Sequence, residues 1–485
     1  MEQREGLLCS YVRITSRRKG HTVGLDKAIP PEEAVRNVRR VLASAGLDLV
    51  AETIRIDAGR LDIPVYVCRA GRDCNIPAPK TMGKGPTPTQ SEASALYEMV
   101  ERFSHANFPR PATHQRGTLT DVREQTLPAA EFFRVPRRDC RASPDEQATF
   151  ATLPFAWVPA YSLVRRCDVL LPYEWFADIQ GTNGLSAGST FEETILQGLC
   201  EVVERHVCAV INAQRRSVPR IDVNSVRDPV GRELLAKFFR HGLKLACLDF
   251  TLDLGIPTVG AIAFDPASFP ASEIVFCAGT ATNPEKALIR VLTEIQQMAV
   301  DYFRQDYYAG GILPKFSDPK QCRYLFDGTP VVPIQSLPDV SDEDLKVEIE
   351  RCTAALAAAG FEPFVVNITH PLLQLPAVFV LMPGSELLDM SLTDLGVTYF
   401  LARRLMFLGR FDAAMALYRR ASQKHPSCRL QATMGLADCL KFQRRWQEAV
   451  EMYKEAMRYG PDQARLLEIH HSLEVCVEHA AAAGG

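Results

Sequence analysis

Apolar and polar positions alternate between a helical and a strand period over the first 390 residues. Residues 30–46 (PPEEAVRNVRRVLASAG) carry the helical one. Proline stands at the start, acids fill the first turn and Gly46 closes it. IRI and IPVYVC, on either side of a turn within 51–70, read as strands. A helix is predicted over 89–106, after the Gly/Pro-rich loop GKGPTP. Residues 108–150, rich in Pro, Arg and Asp, read as a surface excursion, and strand-like segments follow near 154–172. The loop GTNGLSAGST leads into a long helix at 190–214. Strands are expected near 244–250, 256–263 and 273–278, and a third long helix at about 284–308. A helix at 342–359, a strand at 362–367 and an apolar strand at 376–382 complete this part. With no regular βαβ rhythm, the pattern predicts an α+β fold rather than a doubly wound sheet.

From about 394 the pattern becomes entirely helical, with a repeat of 35. Phe411 aligns with Trp446, Ala414 with Ala449, Tyr418 with Tyr453, Ala421 with Ala456 and Pro426 with Pro461. Small alanines let two helices approach, aromatics fill the gaps, and proline ends the second helix. The expected organisation is a first domain over 1–388, helical repeats over 394–481 and a disordered tail at 482–485. The repeats can serve as a partner-binding groove, a buttress or a homodimer contact.

Three of the long helices share one polar pattern. Gln90, Ser94, Glu98 and Glu101 follow the spacing 4, 4, 3, as do Glu193, Gln197, Glu201 and Glu204, and Lys286, Arg290, Glu294 and Gln297. At about 100° per residue each set stays within roughly 80° of one face. The flanks are apolar: Leu96, Met99, Val100 and Phe103; Ile195, Leu199, Val202 and Val203; Leu288, Val291, Leu292 and Ile295. One glutamate stripe is ordinarily a solvated face. Three, on helices that are otherwise apolar, predict a shared polar cavity. Two stripes end in the same phrase, Glu-x-x-Glu-Arg, at Glu98, Glu101, Arg102 and at Glu201, Glu204, Arg205. Carboxylates held three apart repel unless a cation joins them.

Composition narrows the chemistry. The 485 residues are 47% hydrophobic and 23% charged, with a formal charge of −3, which offers no electrostatic footprint for nucleic acid. The basic run RITSRRKGH at 13–21 reads as a solvated loop or strand end. No apolar run reaches a membrane span, and no signal core opens the sequence, so a cytoplasmic protein is expected. The 14 cysteines show no CxxC pair and no zinc spacing. Oxygen ligands without a Glu-x-x-His pair favour Mg²⁺ over iron or zinc. MGKGPTPTQ (82–90) sets Lys84 between glycines ahead of one striped helix, and NGLSAGST (183–190) sets Ser186 and Ser189 ahead of another. Neither is a Walker A loop. With the acid stripes they suggest Mg-ATP held between helix N-termini and carboxylates.

The segments GKG…Q…ASALYEMVERFS, NGLSAGSTFEETILQGLCEVVER and ALIRVLTEIQQ resemble the three nucleotide-binding motifs of the YcaO family, over roughly 20–385. The tail resembles tetratricopeptide repeats, whose usual period is about 34. The resemblance implies ATP with its phosphates among magnesium ions ligated by Glu98, Glu101, Glu201 and Glu204. It places Ser186, Ser189, Glu193, Arg205, Arg290 and Glu294 on further nucleotide-site positions, and Lys27 on the nucleobase side. Two departures stand out: Ser189 where the family often has Asn, and Ala34 where it often has Ser or Thr.

What the resemblance implies for activity is ATP-dependent phosphorylation of a peptide amide oxygen. The nucleophile then decides the product: a side chain gives an azoline, sulfide a thioamide, an amine an amidine. Azoline-forming members typically end in Pro-x-Pro-x-Pro; this sequence ends in AAAGG, so thioamidation is the expectation. The implied partners are a peptide or protein substrate and a TfuA-type or sulfur-delivery protein. The rivals are an accessory factor for another modifying enzyme, as in ribosomal protein methylthiolation, an azoline-forming cyclodehydratase, and a repeat-based interaction protein with a structural ATP site. His105 and His206 read as structural, and the sequence assigns no catalytic base.

Overall fold

A computed structural model of the chain describes residues 10–483, except 58, 77–78, 109–114, 135–140, 268, 270–273, 300–315, 317, 388–391 and 393. The chain divides into two compact units. The first comprises residues 1–113, 159–169 and 182–388; the second comprises 114–158, 170–181 and 389–485.

In the first unit, α1 (Pro31–Ala45) begins on Pro31, carries Glu32 and Glu33 in its first turn and ends on Gly46 in the left-handed region at φ 66°. The chain then forms the antiparallel sheet β1 (Val50–Arg55), β2 (Val65–Ala70), β3 (Lys80–Lys84). The expected loop at 82–90 is therefore partly strand: β3 runs through Lys84, with Met82 paired to Val67. Helix α2 (Pro88–Ala106) follows, capped by the Thr87 side chain, which accepts the Gln90 N–H at 3.2 Å. It lies so close to β3 that a Cβ on Gly83 would collide with the α2 backbone at Ser91 and Ala95.

Helix α3 (Phe191–Gln214) is capped by Thr190 and carries two acids, Glu192 and Glu193, in its first turn. The loop before it holds a short strand that the sequence reading missed: Leu185–Ala187 pairs with Ala377–Leu381, which pairs in turn with Phe364–Asn367. Helix α4 (Pro229–Arg240) was also missed. A five-stranded sheet runs Val275–Thr280, Thr258–Phe264, Lys244–Asp249, Arg220–Asp222, Val331–Pro333. Helix α5 (Pro284–Met298), capped by Asn283, packs on it. A Cβ on Gly279 would sit 2.6 Å from the Ala287 carbonyl oxygen of α5. Residues 300–308 of the expected third helix lie outside the described residues. Helix α6 (Leu345–Ala358) closes the set.

The apolar flanks do what their period predicted. Ile195, Leu199, Val202 and Val203 of α3 join Leu288, Val291, Leu292 and Ile295 of α5 in one buried cluster with the five-stranded sheet. Leu96, Met99, Val100 and Phe103 of α2 form a second cluster with α1. Most strand pairs are antiparallel and helices are not interleaved strand by strand, as the α+β reading expected.

The second unit contains the helices Gly396–Phe407, Phe411–Lys424, Arg429–Phe442, Trp446–Met457 and Gln463–Ala483, each packed on the next. The 35-residue period is structural: Ala414, Ala449, Tyr418, Tyr453, Ala421 and Ala456 are all buried. The last helix extends to Ala483, past the expected end at 481, and residues 484–485 lie outside the described residues. The segment expected to be a surface excursion is not one. Phe132, Phe133 and Phe150 are buried and pack with Trp157 and Trp175. Its charged and proline-rich composition hid an aromatic core at irregular spacing. Buried Glu146 accepts hydrogen bonds from Thr398 and, at 3.0 Å, from Lys424, joining this segment to the repeat helices.

Candidate functional site

The three polar stripes meet in the first unit around one cavity of about 260 Å³. From α2 it receives Gln90, Ser94, Glu98 and Glu101; from α3, Glu193, Gln197, Glu201 and Glu204; from α5, Arg290, Glu294 and Gln297. Of the third stripe only Lys286 is absent from the lining; its ammonium is held by the Thr22 carbonyl at 2.8 Å and Asp228 at 3.0 Å. Lys27, Lys84, Arg102, Arg205 and Ser189 also line the cavity. Ser186 does not: it is buried and donates to the Thr194 carbonyl at 2.7 Å, which ties the short strand before α3 to the first turn of that helix.

In each Glu-x-x-Glu-Arg segment a single arginine lies between two carboxylates. Arg102 Nη2 lies 3.3 Å from Glu98 Oε1, and its Nη1 3.3 Å from Glu101 Oε1. Arg205 Nη2 lies 3.8 Å from Glu201 and 4.0 Å from Glu204. Backbone groups aim the carboxylates: Met82 N–H donates to Glu98 at 3.2 Å, and Thr280 N–H to Glu204 at 3.1 Å. Arg290 donates to Gln197 at 2.8 Å, joining α5 to α3, and Lys84 contacts Glu294 directly. Glu193 accepts the Ala28 N–H at 2.8 Å and lies 3.4 Å from Lys27, which holds the N-terminal segment over the cavity.

These charges are held at a cost. Burial raises Glu101 well above the usual carboxylate range; Arg102 opposes this, while Glu201 and Glu98 add to it. Burial likewise raises Glu201, against Arg205 and Arg102. Burial lowers Lys84 to about 8, against the pull of Glu204 and with the push of Arg290 and Arg205. Several polar atoms remain unmatched: Gln90 Oε1, Arg205 Nε and Arg290 Nε are buried without a hydrogen-bond partner. A buried polar atom left so costs about 1–3 kcal/mol. Atoms of that kind around a cavity are expected of a site completed by a ligand. Among the described residues, no three carboxylate, imidazole or thiolate groups are gathered closely enough to hold a metal ion as the side chains stand. The glutamates face their own arginines instead.

Neither histidine beside these segments lines the cavity. His206 accepts the Glu386 N–H at Nδ1 (2.9 Å), and burial lowers it to about 4. His105 sits edge-on to Phe379. Sequence reasoning missed Tyr97, Met82, Thr293, Leu25 and Ile29 as lining residues. Tyr97 directly precedes Glu98, and a stripe drawn through polar positions alone passes it by. Leu25 and Ile29 lie in a segment without helix or strand period, so no pattern announces them. No helix among the described residues is long and apolar enough to cross a membrane.

The family model described as YcaO cyclodehydratase, ATP- and Mg²⁺-binding, matches residues 82–386, and a tetratricopeptide-repeat model matches 405–470. An uncharacterized protein of Methanothermobacter thermautotrophicus is 25% identical over 390 residues, covering 75% of this chain and 96% of that protein. An uncharacterized protein from the tfuA 3′ region of Rhizobium leguminosarum bv. trifolii is 27% identical over 393 residues, covering 74% and 89%. The ribosomal protein S12 methylthiotransferase accessory factor YcaO of Escherichia coli is 28% identical over 241 residues, covering 45% and 40%. Among solved structures, YcaO from Methanopyrus kandleri bound with AMPPCP and Mg²⁺ superposes with a TM-score of 0.58 at 25% identity, covering 78% of this chain and 96% of that one. A heterocyclase in complex with substrate and cofactor gives 0.64 at 25% identity, covering 79% of this chain and 55% of that one. The chain thus spans little more than half the heterocyclase's length.

Proposed function

The chain belongs to the YcaO family, and on that premise we propose that it uses Mg-ATP to activate a backbone amide of a peptide or protein for modification, with a thioamide as product. The observation that carries this reading is the convergence of three polar stripes on one cavity. Six carboxylates line it against five cationic side chains (Lys27, Lys84, Arg102, Arg205 and Arg290). A lining so nearly balanced has no surplus positive charge for a polyphosphate, so the anion would enter together with divalent cations.

Glu98 and Glu101 on α2, and Glu201 and Glu204 on α3, would hold those cations, with Arg102 and Arg205 released to other partners. Arg290 and Lys84 would face phosphate oxygens, where fixed positive charge stabilises a transferring phosphoryl group. Ser189, Glu193 and Lys27 would serve the base and ribose side. Ser186 would act indirectly, by fixing the turn that presents Ser189. Bound Mg-ATP supplies the γ-phosphoryl that converts amide oxygen, a poor leaving group, into phosphate, so that a sulfide already added to the carbonyl carbon remains as the thioamide.

An external nucleophile is favoured by one observation: a relative lies in a tfuA 3′ region, which supports a TfuA-type or sulfur-delivery partner. The accessory-factor reading is favoured by the likeness to the Escherichia coli factor, which reaches 45% of this chain. Incubation of the chain with Mg-ATP, sulfide and candidate peptides separates the two. Phosphate release matched by the mass gain of replacing oxygen with sulfur is the expected result. Tight nucleotide binding without phosphate release, with every peptide and partner supplied, would instead favour the accessory role.

A further inference from the structure

A second groove in the first unit, of about 500 Å³, shares no lining residue with the cavity described above. Its floor is apolar. Val12, Leu163 and Ile349 belong to the buried core, and Ile14 and Tyr161 pack against it. Ala354 and Ala357 of α6, both exposed, present only methyl groups there. Its charges are unequal. Three cations, Arg13, Arg166 and Lys346, stand against one carboxylate, Glu350. Glu350 is engaged by Arg166 at 3.6 Å. Among the described residues Arg13 and Lys346 have no ion-pair partner. The basic run at 13–21 therefore divides. Lys19 is held by Asp26 and Glu348, each at 2.7 Å, whereas Arg13 is exposed on the groove.

The wall at 12–14 is neither helix nor strand. Val12 N–H donates to Ser10 Oγ at 3.3 Å, and Thr15 N–H to Glu192 at 2.7 Å. Between them, among the described residues, the N–H groups of Arg13 and Ile14 and the carbonyls of Val12, Arg13 and Ile14 make no hydrogen bond. A peptide main chain pairs with groups of this kind while its side chains fill apolar pockets beside them. The groove is also tied to the nucleotide cavity. The Thr15 hydroxyl joins its N–H on Glu192, at 2.8 Å, and the next residue, Glu193, lines that cavity. Helix α6 gives Ile349 and Thr353 to the groove, and its Leu345 and Glu348 line a small space shared with Glu193, Gln197 and Arg290. We propose that this groove docks an acidic stretch of the peptide or protein that the chain modifies. The main chain of that stretch lies along residues 13–14, its apolar side chains on Val12, Leu163 and Ile349, and its carboxylates against Arg13 and Lys346. That the docked stretch belongs to the substrate rests on the function proposed above; the docking itself does not.

Fluorescence anisotropy of the intact chain with a labelled peptide of about eight residues, alternating valine and glutamate, tests this. Saturable binding is expected, weakening as salt is raised. A peptide alternating valine and lysine is expected to bind more than about tenfold more weakly. The double variant Arg13→Glu, Lys346→Glu is expected to lose about tenfold or more in affinity for the acidic peptide and to keep its affinity for Mg-ATP. Ala357→Trp fills the groove without changing its charge and is expected to weaken the same binding by about tenfold or more. Equal binding of the two peptides, or wild-type affinity for the acidic peptide in either variant, overturns the proposal. Single-stranded DNA bound as tightly as the acidic peptide overturns it too, because the groove would then hold any polyanion. No peptide binding beside intact Mg-ATP binding overturns the docking site and leaves the proposed function standing. Peptide binding without Mg-ATP binding overturns that function and leaves the docking site.

Discussion

Glu101 sits under opposed demands. Burial pushes its proton affinity up, Arg102 pulls it down, and Glu201 and Glu98 push it up again. A divalent cation at that position would offset the repulsion among Glu101, Glu98 and Glu201. Glu201 is its counterpart on α3, and Glu201→Ala is expected to weaken Mg-ATP binding by about a hundredfold or more; calorimetry showing wild-type affinity would remove Glu201 from the ligand set. His206 makes a separate prediction. Burial lowers its folded value to about 4, below the 6.5 of an ordinary histidine. The unfolded chain therefore takes up the proton first, so the stability His206 contributes is complete above pH 6.5 and is lost as pH falls toward 4. Urea unfolding should show a loss of about 2 kcal/mol between pH 7 and pH 5 from this group, and His206→Gln should flatten that part of the profile. A pH profile identical in the variant would contradict the assignment.

The helices that carry the site were legible at the scale of the element, because spacing 4, 4, 3 survives any context that keeps a helix. Their flanks were legible for the same reason: Ile195, Leu199 and Val203 are apolar at a helical period and buried in the structure. The strands at Lys80–Lys84 and Leu185–Ala187 were not, because glycine and lysine at 82–85 and serine and glycine at 186–189 carry loop propensity. Strand pairing and close helix contact override it there. Gly83 shows how close that contact is. Adding a methyl group is expected to displace α2 from β3, with a loss of about 2 kcal/mol of stability. The Met82 N–H contact that aims Glu98 would shift with it. Gly83→Ala should therefore lower both the urea midpoint and Mg-ATP affinity, and a variant unchanged in both would contradict the packing described.

At the scale of the whole molecule, the two units are discontinuous in sequence. Residues 114–158 and 170–181 group with the repeats because their aromatic residues are buried there, a relation between distant segments that no local period encodes. Glu146 is a direct probe of the second unit. Burial opposes its charge, but hydrogen bonds from Thr398, Ser143 and Lys424 outweigh it and hold Glu146 down at about 2. Its contribution is thus present above the ordinary value of 4.5 and lost as pH falls toward 2. Glu146→Gln is expected to destabilise the second unit by about 3 kcal/mol at neutral pH, read as an earlier transition in thermal unfolding; an unshifted transition would contradict it. The central claim concerns the first unit and is tested most directly by titrating the intact chain with ATP in Mg²⁺ and again in chelator. The account predicts saturable binding with Mg²⁺ and its loss without. Equal affinity in both, or none in either, would contradict it.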